Sequence, residues 1–306
     1  MGSGLGRLIG TLTALCSFFQ ACSPTGPESS LEGRIAFLGG GPNQTLEILA
    51  GRPDGTGVTR IVGDLPDFVD LAWSPDATTL VYSTNFGGTS KFEIFTIKVD
   101  GTGNTKISPD GRMPAWSPDG STIAFIAMND ATRSFDIFAM DVNGSGVRAL
   151  TETSNNELWP AWSPEGDQIA YEAGGRSIFV MDADGANPKR IMNAGNAASG
   201  APAWSPDGAH IAFNSTMHRD PSSIEFGQFE IYVMNADGSD VERLTFLSDA
   251  RRALRFPTWS SDGRFIAFES QVEMGLGFIY RVYTIGSDGS NPSEVRFGRG
   301  AKSPKW

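Results

Sequence analysis

Short runs of alternating large and small apolar residues recur along the chain. They read "LVY" at Leu80, "IAF" at Ile123, "IAY" at Ile169, "IAF" at Ile211 and "IAF" at Ile266. Each puts its two large side chains on one side of a strand and the smaller one on the other, a period of two. Each starts seven residues after a tryptophan, namely Trp73, Trp116, Trp162, Trp204 and Trp259. A fixed offset in five copies means a fixed hairpin. The link is turn chemistry of the type "SPDG", in which Pro presets φ, Asp bonds its own backbone and Gly accepts positive φ.

A second apolar run follows in each repeat and ends in Asp-Gly or Asn-Gly, as in "IFAMDVNGSG" around Asn143 and "IYVMNADGSD" around Asp237. This is a strong hairpin signal. A short β-prone run comes next, such as "VRALT" or "ERLT". Each repeat therefore predicts four strands: a ("PAW"), b ("IAF"), c ("IFVM") and d ("RLT"). Adding Trp306, the tryptophans are spaced 43, 46, 42, 55 and 47 residues apart. Four antiparallel strands in such a period predict a propeller blade.

Five repeats are complete. The segment from Gly33 supplies "RIAFLGG", "LEILAGRPDGTG" and "VTRIV", which are strands b, c and d without a strand a. The C-terminal "SPKW" is a strand a alone. The expectation is an all-β, six-bladed propeller whose C-terminal strand a pairs with the N-terminal strands b–d, closing the ring without a free sheet edge.

These repeats resemble the propeller repeats of TolB and of prolyl-oligopeptidase-type proteins, over roughly residues 33–306. The resemblance implies an envelope protein that binds another protein, a peptidoglycan-associated lipoprotein being one candidate partner. TolB carries an additional α/β domain before its propeller. Here about eleven residues separate Cys22 from the first strand, so that domain is expected to be absent.

The N-terminus changes the picture of where the ring sits. Arg7 precedes an apolar stretch, "LIGTLTALCSFF", too short to span a bilayer comfortably. "FFQAC" then resembles a bacterial lipobox with Cys22 as the acylated residue, although Phe19 and Gln20 are unusual there. Residues 1–21 are read as a lipoprotein-type signal peptide, 22–32 as a Ser/Pro/Gly-rich flexible tether and 33–306 as the propeller. Ser23 after the lipid cysteine leans towards the outer membrane. The expected product is an exported monomer in the periplasm or on the cell surface, held to the membrane only by its N-terminal lipid.

Composition removes other classes. The net charge is −11 without a basic stripe, which argues against nucleic acid. The two cysteines, Cys16 and Cys22, both lie near the N-terminus, so neither a disulfide framework nor a Cys-ligated zinc is expected in the ring. There are two histidines, His210 and His218, and no "G-x-S-x-G" elbow. Asp64, Asp67 and Asp70 in "DLPDFVD" could meet a hard cation, but a solvated loop is the simpler reading. No cofactor or metal is expected.

Function on a propeller lives in loops. The b–c and d–a connections are long and variable and share one face. Trp159 lies outside the repeat pattern, aligned with Met113, Ala201, Phe256 and Ser303 just before the strand a proline. Arg112, Arg255 and Lys302 share the preceding position, and Phe68 and Asp70 are read into the equivalent loop of the first repeat. With Arg252 and His218, these are the candidate partner-binding residues, since Trp, Phe and Arg are typical anchors. A plug of the channel by Trp159 and Phe256 is the competing reading. The alternative function is a glycan- or peptide-active enzyme with its site at the channel mouth. The repeat tryptophans are assigned to blade-to-blade packing.

Overall fold

A computed structural model describes residues 33–40, 45–66, 69–86, 91–108, 110–218, 228–246, 252–274, 277–297 and 300–306. The chain divides into two units, 1–30 and 31–306, and every described residue belongs to the second. Phe68, Asp67 and Cys22 lie outside the described residues.

Among the described residues, twenty-four strands form six four-stranded antiparallel sheets. The first complete blade (blade 1) comprises Asp70–Trp73, Thr79–Thr84, Glu93–Lys98 and Thr105–Ser108. Blades 2 to 5 open on strands a at Arg112–Trp116, Glu157–Trp162, Ser199–Trp204 and Arg252–Trp259. Blade 6 joins Lys302–Lys305 to Ile35–Gly40, Leu46–Gly51 and Thr59–Leu65, as the split repeat requires.

The alternation in the triplets explains how blades pack. Six core clusters each join two neighbouring blades. Ile35 and Phe37 of blade 6 pack with Ala267 of blade 5, while Ala36 packs with Leu80 and Tyr82 of blade 1. The large pair of each triplet thus faces one neighbour and the small residue faces the other. Within a blade the third residue of the triplet stacks on an aromatic of strand c: Tyr82 on Phe95, Phe125 on Phe138, Tyr171 on Phe179, Phe213 on Tyr232 and Phe268 on Tyr283. Such cross-strand pairs add about 0.2–1 kcal/mol each. In blade 6 the partner across from Phe37 is Leu49, and Phe297 of blade 5 stacks on Phe37 instead, at 4.0 Å.

Four of the repeat tryptophans join blade to blade through their indole N–H groups, while the Trp116 indole nitrogen is buried without a hydrogen-bond partner among the described residues. Trp73, Trp162, Trp204 and Trp259 donate to the carbonyls of Lys305, Ala115, Ala161 and Ala203 on the strand a of the preceding blade, at 3.1–3.3 Å. The sixth repeat is therefore stitched to the first by the same bond as the others.

Both short turns are rigid for reasons visible in the sequence. In the a–b turn a buried serine takes the N–H of the fifth residue on and donates to the turn aspartate, as Ser117 does with Thr122 and Asp119. Where Glu165 replaces that aspartate, Ser163 turns to Asp167. Blade 1 has Ala77 where the others have Gly, yet Ala77 keeps a φ of 54°. Ala77→Gly should therefore stabilise the protein by about 1 kcal/mol, measured by chemical denaturation, because it removes a left-handed alanine.

The c–d turn is a three-residue loop rather than a two-residue one: Asp141 N–H donates to Ser145 O and Gly144 N–H to Asp141 O. The glycine sits in the left-handed region at its end. It also abuts strand d of the preceding blade. A Cβ on Gly144 would lie 2.0 Å from Ile107 O, on Gly185 2.4 Å from Leu150 O, and on Gly238 2.0 Å from Ile191 O. The same approach recurs across the split blade, where a Cβ on Gly55 would lie 2.8 Å from Arg296 O.

Candidate functional site

Strands a line the central channel, and its wall encloses a cavity of about 310 Å³. Five strands a carry a bulge just before their proline. There Met113, Trp159, Ala201, Phe256 and Ser303 adopt φ of 50–58°, and the ladder to strand b shifts register around them. Blade 1 has Leu71 in place of the proline, and its ladder from Asp70 to Trp73 is regular. The bulged residues Met113, Trp159, Ala201, Phe256 and Ser303 all line the cavity, and so does Asp70 of the unbulged blade 1.

The structure corrects the boundary of the d–a loops. Asp70, Arg112, Trp159, Arg252, Arg255, Phe256 and Lys302 all lie on strands a and not in loops. The reason is that the backbone resumes pairing with strand b on the far side of the bulge, as Arg112 does with Ile126 and Arg255 with Glu269.

Trp159 and Phe256 come together, with ring centroids 4.8 Å apart. The three aligned cations are each stacked over an aromatic of the preceding blade: Arg112 over Phe92 at 4.2 Å, Arg255 over Phe229 at 5.0 Å and Lys302 over Tyr280 at 5.2 Å. Such contacts contribute about 0.5–2 kcal/mol. Arg112, Arg252 and Arg255 each have a buried Nε without a hydrogen-bond partner. His218 stands apart from the mouth residues, beside the hydroxyl of Tyr232 at 3.3 Å. Burial first, then the Arg243 charge, pushes its imidazole down, against the pull of Glu230. Glu230 is fully buried and pairs with Arg243 at 3.1 Å, and Thr245 donates to it.

Two groups were missed from sequence. Lys305 occupies the middle of its strand a phrase, where the other repeats have Ala72, Ala115, Ala161, Ala203 and Thr258, and it lines the cavity with Asp70. A lysine at a position of small residues was the available signal. Burial pushes the Lys305 ammonium down, opposed by Asp70. Burial pushes the Asp70 carboxyl up, opposed by Arg112, Lys305, the Met113 N–H and the Ser83 hydroxyl.

The second group is the polar residue directly after the triplet: Glu172, Asn214 and Glu269. Each accepts the N–H of the bulged residue of the next blade. Ser303 N–H donates to Glu269 at 2.8 Å, Phe256 N–H to Asn214 at 3.4 Å, and Ala201 N–H to Glu172. A carboxylate after "IAY" or "IAF" was the signal. These side chains stand in the seams between blades and are not among the cavity-lining residues.

Burial raises Glu172 from an ordinary 4.5 to about 7. Burial likewise raises Glu157 to about 7, with nearby Asp136 adding to the rise. A carboxyl raised in the fold holds its proton more tightly there than when unfolded, so its contribution is full below about pH 4.5 and declines as pH rises towards 7. For Glu172 stability should therefore fall by up to about 3 kcal/mol across that window, with Glu157 acting in the same direction. Glu172→Gln, which keeps an acceptor for Ala201 N–H, should remove its share of the slope in denaturation curves measured between those pH values.

The face opposite the b–c and d–a connections gathers the acidity. Asp76, Asp119, Asp207 and Asp262 sit in a–b turns, and Asp54, Asp100, Asp237 and Asp288 in c–d turns. Serine or threonine hydroxyls, then backbone N–H groups, hold each carboxyl below the usual range. The mouth side carries Arg112, Arg255, Lys302 and Lys305 together with Asp70 and the connection acids Asp110, Asp130 and Glu152. Large exposed apolar side chains reach the mouth side: Phe86, Met128, Phe246, Phe278 and Ile279, with Phe246 72% and Phe278 54% exposed. The opposite face exposes Val58, Val142, Val147, Val241 and Phe265.

Of the three loop acids, Asp64 pairs with Arg60 at 3.5 Å at the surface and Asp70 lines the channel. Among the described residues no group of three or more His, Cys, Asp or Glu side chains could hold a metal ion.

Comparison with known proteins agrees with this architecture. A family model described as the TolB beta propeller domain matches residues 43–176 and 158–283. A TolB structure from Acinetobacter baumannii is similar at 21% identity and a TM-score of 0.71, covering 90% of this chain and 66% of that one. This chain thus spans just under two thirds of that protein's length. A structure described as a putative TolB from Agrobacterium tumefaciens is similar at 22% identity and a TM-score of 0.69, covering 88% of this chain and 91% of that one. A nidogen/laminin complex contains a chain with 13% identity and a TM-score of 0.60, covering 89% of this chain and 97% of that one. The search of curated proteins found no match to this chain. With a six-bladed ring closed across its own termini and the family model covering most of its length, this chain belongs to the TolB β-propeller domain family.

Proposed function

We propose that this propeller binds another cell-envelope protein through its b–c/d–a face, with no catalytic step. The observation that carries the reading is the contrast between the two faces. The mouth side combines stacked cations with exposed Phe246, Phe278 and Met128, whereas the opposite side concentrates turn aspartates. Aromatic residues and arginine are the usual energetic anchors of protein interfaces. The charge contrast steers an acidic partner surface towards the mouth. By family resemblance, a peptidoglycan-associated lipoprotein is one such partner. Trp159, Phe256, Arg112, Arg252, Arg255 and Lys302 would form the inner part of the contact around Asp70, with His218 further out; Phe68 completes the candidate set.

In this reading residues 1–21 direct export, Cys22 carries the lipid and residues 22–32 form the tether of a monomer at the outer membrane. The first described residue, Gly33, precedes strand b of blade 6, which begins at the a–b turn end of the ring. The tether would raise the local concentration of the ring near its partner.

Two results test this. Cys22→Ala should move the protein from the membrane to the soluble fraction, and retention in the membrane refutes the anchor. Trp159→Ala with Arg255→Ala should reduce recovery of the envelope partner at least tenfold, as loss of two anchors of about 1 kcal/mol or more each implies. Undiminished recovery places the contact elsewhere.

A further inference from the structure

The channel wall is chemically divided. Adjacent blades 6 and 1 contribute its charged side chains, Lys305 and Asp70, while the facing wall is apolar, with Trp159 and Phe256 packed on each other. Among the described residues neither Lys305 nor Asp70 is in an ion pair, although both line one cavity of about 310 Å³. The other five repeats have alanine or threonine at the Lys305 position; Lys305 and Asp70 sense one another's charge and both line the cavity. Charges in such a setting are costly unless compensated.

A plain anion would meet Lys305 but be repelled by Asp70. A plain cation would meet Asp70 but be repelled by Lys305 and by Arg112, whose charge Asp70 also senses. Only a ligand bearing both charges satisfies both walls. The cavity volume lies at the small end of the range for ligand pockets, about 300–1,000 Å³. We propose that the channel binds a small zwitterion, a free α-amino acid with an apolar or aromatic side chain. Its carboxylate rests on Lys305, its ammonium on Asp70, and its side chain lies against the aromatic wall. This site shares Asp70, Trp159 and Phe256 with the proposed partner contact, but it is tested with amino acid alone, so its failure and that of the partner reading are distinguishable.

The probe is L-phenylalanine, titrated calorimetrically into the full chain. N-acetyl-L-phenylalanine lacks the ammonium charge and L-phenylalanine amide lacks the carboxylate. Each derivative should bind at least tenfold more weakly than the parent. Asp70→Asn should weaken the parent at least tenfold and cancel the penalty of N-acetylation, and Lys305→Gln should do the same for the amide, the coupling that a double-mutant cycle isolates. Equal binding of the three compounds, no heat at millimolar amino acid, or unchanged affinity in both folded variants overturns the site. The derivative series on the unaltered protein decides the question even where a variant fails to fold.

Discussion

Deleting residues 302–306 lowers the thermal midpoint by ten degrees or more and broadens the transition. The deletion removes strand a of blade 6 and leaves strand Ile35–Gly40 as an exposed edge beside blade 5. It takes away Trp306, which packs against the cluster of blades 5 and 6. It also removes the acceptor for the Trp73 indole, Lys305 O, and the N–H that neutralises part of the cost of burying Glu269. Loss of a packed tryptophan costs about 3–5 kcal/mol, and each lost hydrogen bond about 1 kcal/mol. The sum is about 5 kcal/mol or more, and about 2–4 °C per kcal/mol is usual for a domain of this size. A midpoint within two or three degrees of the full chain would mean that the ring does not depend on its split blade.

Gly144→Ala should destabilise the protein by about 3–5 kcal/mol, against about 1–2 kcal/mol for Gly289→Ala. Both glycines have positive φ, 86° and 79°, so both substitutions carry a left-handed strain of about 1–2 kcal/mol. They differ in what the new methyl group meets. At Gly144 it would lie 2.0 Å from Ile107 O and must push blade 1 away, while at Gly289 it meets Leu244 O at an ordinary 3.4 Å. Overpacking of that kind adds about 1–3 kcal/mol. Equal effects in urea denaturation would show that these glycines serve only the turn and that the blade contact yields freely.

The repeats made the architecture legible because each signal was local. The "SPDG"-type turn, the triplet seven residues after its tryptophan and the Asp-Gly or Asn-Gly hairpin all depend on neighbours in sequence, and five complete copies reinforced one another. The split blade followed from counting strands at both ends. Only part of the candidate site was legible in the same way. Trp159 and Phe256 stood out against their repeat positions, and their channel location followed from strand a. Their mutual contact did not, because it spans blades 3 and 5. Nor did the stacking of Arg112, Arg255 and Lys302 on Phe92, Phe229 and Tyr280, which joins residues of successive blades. The bulge before each proline was hidden because the residue before proline normally avoids that backbone region. Here an acceptor from the preceding blade, such as Glu269 for Ser303, fixes it. Lys305 was not legible because its channel position depends on ring closure, which brings a strand from the C-terminal end beside blade 1.

The face assignment is tested most directly by photo-crosslinking in intact envelopes. A photoreactive side chain is placed at Phe278 on the mouth side in one protein and at Val147, 55% exposed on a c–d turn, in another. The expected result is a discrete protein adduct from position 278, lost in Trp159→Ala/Arg255→Ala, and none from position 147. An adduct from position 147 alone would put the partner on the acidic face and contradict the proposed mode of binding.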